Sequence, residues 1–137
     1  MAVTTGHQFP EKEFYVDPVR VEEFVLALGI EPQPEYRAEL GAPVPPGFLV
    51  YVTTYGAGSV HEALDLDLLR TVFGGVDEEF LAPVRIGDRL TVRPHVSGIT
   101  EKSGSRGRLT FVDITTEYLL ADGAVAVRER STVVQRG

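Results

Sequence analysis

Chemistry at neutral pH needs a nucleophile, an acid–base group or a metal site, and this chain carries few of the usual side chains. It has no cysteine and three histidines among 137 residues. The lack of cysteine removes thiol catalysis, disulfides and cysteine-ligated metals. His7, His61 and His95 stand far apart, and none has a second histidine four residues away to share one helix face as a metal ligand. His7 falls in a stretch expected to be mobile. His61 follows a predicted buried helix, where a surface or capping role is expected, and His95 falls inside a predicted strand. Asp65 and Asp67 alternate with leucines and read as acids at a helix start. No glycine-rich phosphate loop of Walker or Rossmann form is present. Carboxylates, tyrosines and arginines remain, and the elements that hold them decide their use.

Those elements fit in one domain. The length suffices to bury a core without metal or disulfide staples. Hydrophobic residues make up 43% and charged residues 24%, ordinary values for a globular protein. No apolar run approaches the ~20 residues of a membrane span. The first six residues lack the basic and apolar regions of a signal peptide, so a cytoplasmic setting is expected. The net charge is −7, which argues against nucleic-acid binding through phosphate contacts. Residues 1–70 carry 11 acids and 4 bases, whereas residues 71–137 carry 9 of each. Either this is a solvated acidic surface, or the arginine-bearing second half faces an anionic ligand or partner.

Residues 1–12 read as a flexible segment and 13–137 as the domain. Asp17-Pro18 predicts a helix start, as N-cap and first helical residue. Val21, Phe24, Val25 and Leu28 then form one apolar face, ended by Gly29. A short helix is predicted over 34–40. Phe48 to Val52 is apolar nearly all round, which suits a buried helix beginning near Pro46. A buried strand over Val50–Tyr55 is the competing reading. A further helix is predicted over 61–70, with Leu64, Leu68 and Leu69 on one side. The second half alternates as strands: 76–81, a turn at 83–88, a long strand 89–100 and a loop 103–107. A second long strand at 108–120, a tight turn at 121–123 and a last strand at 124–135 follow. Val112, Ile114, Tyr118 and Leu120 share one face of the second long strand. The class is α+β, a buried helix wrapped by a long antiparallel sheet.

Three segments resemble one family. Phe80-Leu81-Ala82-Pro83-Val84-Arg85-Ile86-Gly87-Asp88-Arg89-Leu90 is similar to the F-x-x-P-V-x-x-G-D-x-L segment of MaoC-like hot-dog proteins. Arg20 to Gly29 resembles the first helix of the MaoC dehydratase N-terminal domain, the fatty-acid-synthase-type dehydratase domain. Pro45-Pro46-Gly47-Phe48 resembles the run into that domain's central helix. The resemblance implies a hot-dog fold acting on acyl thioesters carried by CoA or an acyl-carrier protein, with no other cofactor and no metal. It also implies a homo- or heterodimer with another MaoC-like subunit.

Hydratases of that superfamily carry an Asp-x-Asn-Pro-x-His loop before the central helix. A carboxylate and an imidazole there activate water for addition across the enoyl double bond. Amides at the helix start polarise the thioester oxygen. Here the matching stretch is Glu31-Pro32-Gln33-Pro34-Glu35-Tyr36. Glu31 takes the aspartate position and Tyr36 the histidine position. A tyrosine of ordinary pKa near ~10 is a poor base at pH 7. The resemblance thus implies the non-catalytic half of an enoyl-thioester hydratase, with Glu31 and Tyr36 as a degenerate dyad. Its substrate-binding residues would be Pro46, Gly47, Phe48, Tyr51, Val52 and Tyr55 along the helix. Arg85 and Arg89 would meet ligand phosphates, or else be solvated strand ends. Two alternatives stay open: a self-sufficient hydratase or thioesterase, and a binding module without chemistry. No carboxylate lies in 48–60, which weighs against the thioesterase.

Overall fold

The computed structural model describes residues 4–29, 39–52 and 67–137. Five antiparallel strands form one sheet: β1 (Lys12–Tyr15), β2 (Thr71–Phe80), β3 (Arg89–Gly104), β4 (Gly107–Leu119) and β5 (Val125–Arg136), in spatial order β1-β3-β4-β5-β2. Among the described residues, helices α1 (Pro18–Ala27) and α2 (Phe48–Tyr51) and a 3-10 turn at Leu68–Arg70 precede β2.

Local chemistry explains most boundaries. The Asp17 carboxylate accepts from the Val19 amide at 2.8 Å, which caps α1. Val21 and Val25 are buried and Phe24 packs on the core, as the spacing predicts. Leu28 is an exception, 54% exposed, because it sits at the C-cap where the chain has left the helix. Leu69, predicted on an apolar side, is likewise exposed.

β2 and β3 are longer than their sequence pattern suggests, whereas β4 and β5 fall within one residue of it. β3 and β4 pair out to Gly104 and Gly107, so the predicted 103–107 loop is only a tight turn. β2 begins at Thr71 rather than Val76, because its pairing with β5 continues through a bulge between Phe73 and Gly75. A Cβ on Gly74 would stand 3.1 Å from the Thr132 carbonyl oxygen, so glycine permits that close approach. β1 escaped the sequence reading altogether. Residues from the expected flexible segment also join the sheet: the Gly6 and Phe9 amides donate to Val96 and Pro94 carbonyls, and Phe9 is buried.

One face of the sheet carries the main core. Leu90, Val92, Tyr118 and Val127 meet Phe48, Leu49 and Val52 of the α2 region, with Val21 of α1 and Ile86. Each such side chain stabilises the fold by about 1.5–3 kcal/mol relative to exposure. Val50 and Tyr51 are helical, which decides against the competing strand over that stretch of the described residues. None of the described helices is long and apolar enough to cross a membrane.

Candidate functional site

The site is built where the chain enters α2. Residues 41–44 run antiparallel to 84–86: the Gly41 amide donates to the Ile86 carbonyl at 2.8 Å and the Ile86 amide to Ala42 at 2.7 Å. Arg85 adds a bond from Nη1 to the Gly41 carbonyl at 3.1 Å. The predicted 83–88 turn is closed by the Asp88 carboxylate, which accepts from the Arg85 amide at 2.8 Å. These contacts aim Pro45-Pro46-Gly47 at the core. Gly47 has φ 86 and caps α2 in the left-handed region. A Cβ there would meet Phe24 only at 3.6 Å, so the glycine answers a backbone need rather than a shortage of space.

Pro46 and Gly47 are exposed at this entrance, while Phe48 is completely buried. Phe48 lies between Phe24 and Tyr51 at 5.6 and 5.7 Å between ring centroids, with Phe14 at 6.2 Å. It is a core ring that fixes the helix, and Tyr51 is the half-buried aromatic beside it. Val52 is buried. The structure therefore brings Pro46, Gly47, Phe48, Tyr51, Val52 and Arg85 into one region. Glu31, Tyr36, Tyr55, His61, Asp65 and the 34–38 part of the expected short helix lie outside the described residues.

Arg89 is not brought to that region. Leu90 and Val92 face the core, so Arg89, Thr91 and Arg93 point to the opposite face. Arg89 stacks on Tyr15, with 5.1 Å from its guanidinium carbon to the ring centroid. It lines an open groove with Glu11, Glu13 and Arg93, and Arg93 is paired with Glu11 at 2.6 Å. His95 lies on that same outer face, and His7 packs edge-on against Phe9. Asp67 caps the 3-10 turn by accepting from the Leu69 amide at 3.0 Å. No cluster of three or more metal-ligating side chains occurs among the described residues.

Beneath α2 the sheet carries a polar group that the sequence reading passed over. Tyr118 is fully buried and Glu129 is 2% exposed. The Tyr118 hydroxyl lies 2.9 Å from the Leu49 carbonyl and 3.1 Å from Glu129 Oε2. A hydroxyl has one proton to donate, so these two oxygens compete for it or Glu129 returns a bond. A signal for Glu129 exists in the sequence: it shares strand parity with Val127 and Val133, both buried.

Comparisons with known proteins agree with this fold. A family model described as "FAS1-like, dehydratase domain region" matches residues 3–129. A UPF0336 protein of Streptomyces coelicolor is 36% identical over 111 residues, 73% of each chain. A UPF0336 protein of Streptomyces griseus subsp. griseus is 31% identical over 142 residues, 96% of this chain and 91% of the relative. Among solved structures, the HadBC (3R-hydroxyacyl-ACP dehydratase) complex from Mycobacterium tuberculosis superposes with a TM-score of 0.77 at 19% identity, over 97% of this chain and 98% of that one. A MaoC-like dehydratase gives a TM-score of 0.75 at 17% identity over 96% of this chain and 42% of that one. The ChsH1–ChsH2 complex from Mycobacterium tuberculosis gives 0.71 at 12% identity, over 94% and 84%. At these identities the structural likeness speaks for the fold. Sequence and fold together place the chain in the FAS1-like dehydratase domain region family, with the hot-dog architecture of the MaoC-like dehydratases.

Proposed function

We propose that this chain is the non-catalytic, substrate-shaping subunit of an (R)-specific enoyl-thioester hydratase, which is also a 3-hydroxyacyl-thioester dehydratase in the reverse direction. The observation that carries the reading is the open edge of β2 in a chain whose dyad positions hold Glu31 and Tyr36. β2 ends the sheet, and its Val72, Phe73, Val76 and Phe80 are exposed. A long apolar strand edge invites pairing, because its backbone groups and side chains otherwise face water. The HadBC and ChsH1–ChsH2 structures are complexes by name, which favours a second hot-dog subunit as the cover.

In this reading the fixed α2 entrance receives the thioester end of the ligand, and Arg85 lies beside it for the phosphates of CoA or a carrier-protein arm. The partner supplies the aspartate and histidine. The test is co-purification with a hot-dog protein carrying Asp-x-Asn-Pro-x-His, followed by hydration of crotonyl-CoA. A stable complex more active than the partner alone is expected. A partner whose activity and specificity are unchanged by this chain overturns the proposal.

A further inference from the structure

On the outer face of the sheet, away from α2, the charge pattern changes from one row of side chains to the next. In one row Glu79, Arg128, Glu117 and Arg93 stand opposite one another across β2, β5, β4 and β3. Arg128 lies 3.8 Å from Glu79 and 3.6 Å from Glu117, and Arg93 lies 2.6 Å from Glu11. Acids and bases alternate there, so every charge has an opposite neighbour. The next two rows break that pattern. Glu13 stands opposite Thr91, and Thr91 opposite Leu119, an acid with no base in its row. Arg89 stands opposite Tyr15, a base with no acid. Its guanidinium leans on the Tyr15 ring at 5.1 Å instead. Neither Glu13 nor Arg89 forms an ion pair among the described residues.

Both side chains line one open groove of about 390 Å³, together with Thr91, Leu119, Leu120 and Ala121. Small-molecule sites span roughly 300–1,000 Å³, so the groove suits a small ligand. Glu13 and Arg89 are diagonal neighbours across β1 and β3, which sets their backbones about 7–8 Å apart. A simple anion at this place meets Glu13 as a like charge, and a simple cation meets Arg89. A zwitterion answers both. An α-amino acid carries its ammonium and carboxylate on one carbon, and a charge-assisted contact of about 2.8 Å at each end spans the gap. Leu119, Leu120 and Ala121 offer apolar surface to its side chain. Stacking on Tyr15 orients the guanidinium before a ligand arrives, which lowers the ordering cost of binding. We infer that this groove binds an α-amino acid with an apolar side chain, independently of any acyl ligand at α2.

Calorimetric titration of the full chain with L-leucine tests this. Saturable binding with a Kd of about 1 mM or tighter is expected. N-acetyl-leucine lacks the ammonium and leucinamide lacks the carboxylate, so each should bind at least about fivefold more weakly. Arg89→Ala and Glu13→Gln should each weaken L-leucine by a similar factor. Glu79→Gln, in the paired row, should leave its Kd within about twofold. The two analogues probe the same charges on the wild-type chain, so the outcome does not hang on the fold of a variant. The inference is overturned if L-leucine shows no saturable binding up to about 10 mM. It is also overturned if both analogues bind as tightly as leucine, or if Arg89→Ala and Glu13→Gln both keep its Kd within about twofold. None of these results bears on the acyl-thioester reading, which is judged by hydration.

Discussion

The Tyr118 hydroxyl on β4 lies 2.9 Å from the Leu49 carbonyl in the first turn of α2, which ties the central helix to the sheet that wraps it. Both residues are buried, so the bond works away from competing water. Tyr118→Phe removes the hydroxyl and leaves the ring in place. We expect a stability loss of about 1–3 kcal/mol, read as a lower urea midpoint at unchanged slope.

The two arginines proposed for phosphate contact sit on different sides of the sheet, so their substitutions should separate. Arg85 is bonded to Gly41 beside the α2 entrance. Arg89 stacks on Tyr15 in a groove with two glutamates. Arg85→Ala is expected to weaken crotonyl-CoA binding by about fivefold, equivalent to about 1 kcal/mol. Arg89→Ala should change it by less than about twofold. Calorimetric titration of both variants checks the pair of outcomes.

Burial pushes the Glu78 carboxyl above its ordinary value of 4.5. The folded state then holds this proton more tightly than the unfolded chain does. Its contribution to stability is full below pH 4.5 and is lost as pH rises through the raised value. Glu78→Gln should therefore gain on wild type as pH climbs from 4 to 7 and match it most closely at the acid end. Thermal melts of both proteins across that range give the comparison.

How legible the fold was depended on how local its cause is. The α1 start could be read because Asp17 and Pro18 act within one turn of each other. The 121–123 turn could be read for the same reason, since Asp122 accepts from the Ala124 amide at 2.9 Å. β1 could not, because Lys12–Tyr15 becomes a strand only by pairing with Arg89–Val92 far along the chain. The extent of β2 is likewise a decision of β5, taken through a bulge. The family segments singled out Gly47, Phe48 and Arg85, and the fold sets them in one region. Strand parity alone, applied from Leu90 and Val92, would have put Arg89 on the far face. Glu129 has an acidic residue type that hides its place, although parity with Val127 marks it as inward.

On the proposed function, the catalytic aspartate and histidine come from outside this chain. Crotonyl-CoA hydration by the purified chain alone tests this most directly. The prediction is no turnover above the uncatalysed rate, whether or not Glu31 is replaced by alanine. Robust hydration by the isolated chain that disappears in Glu31→Ala would contradict it.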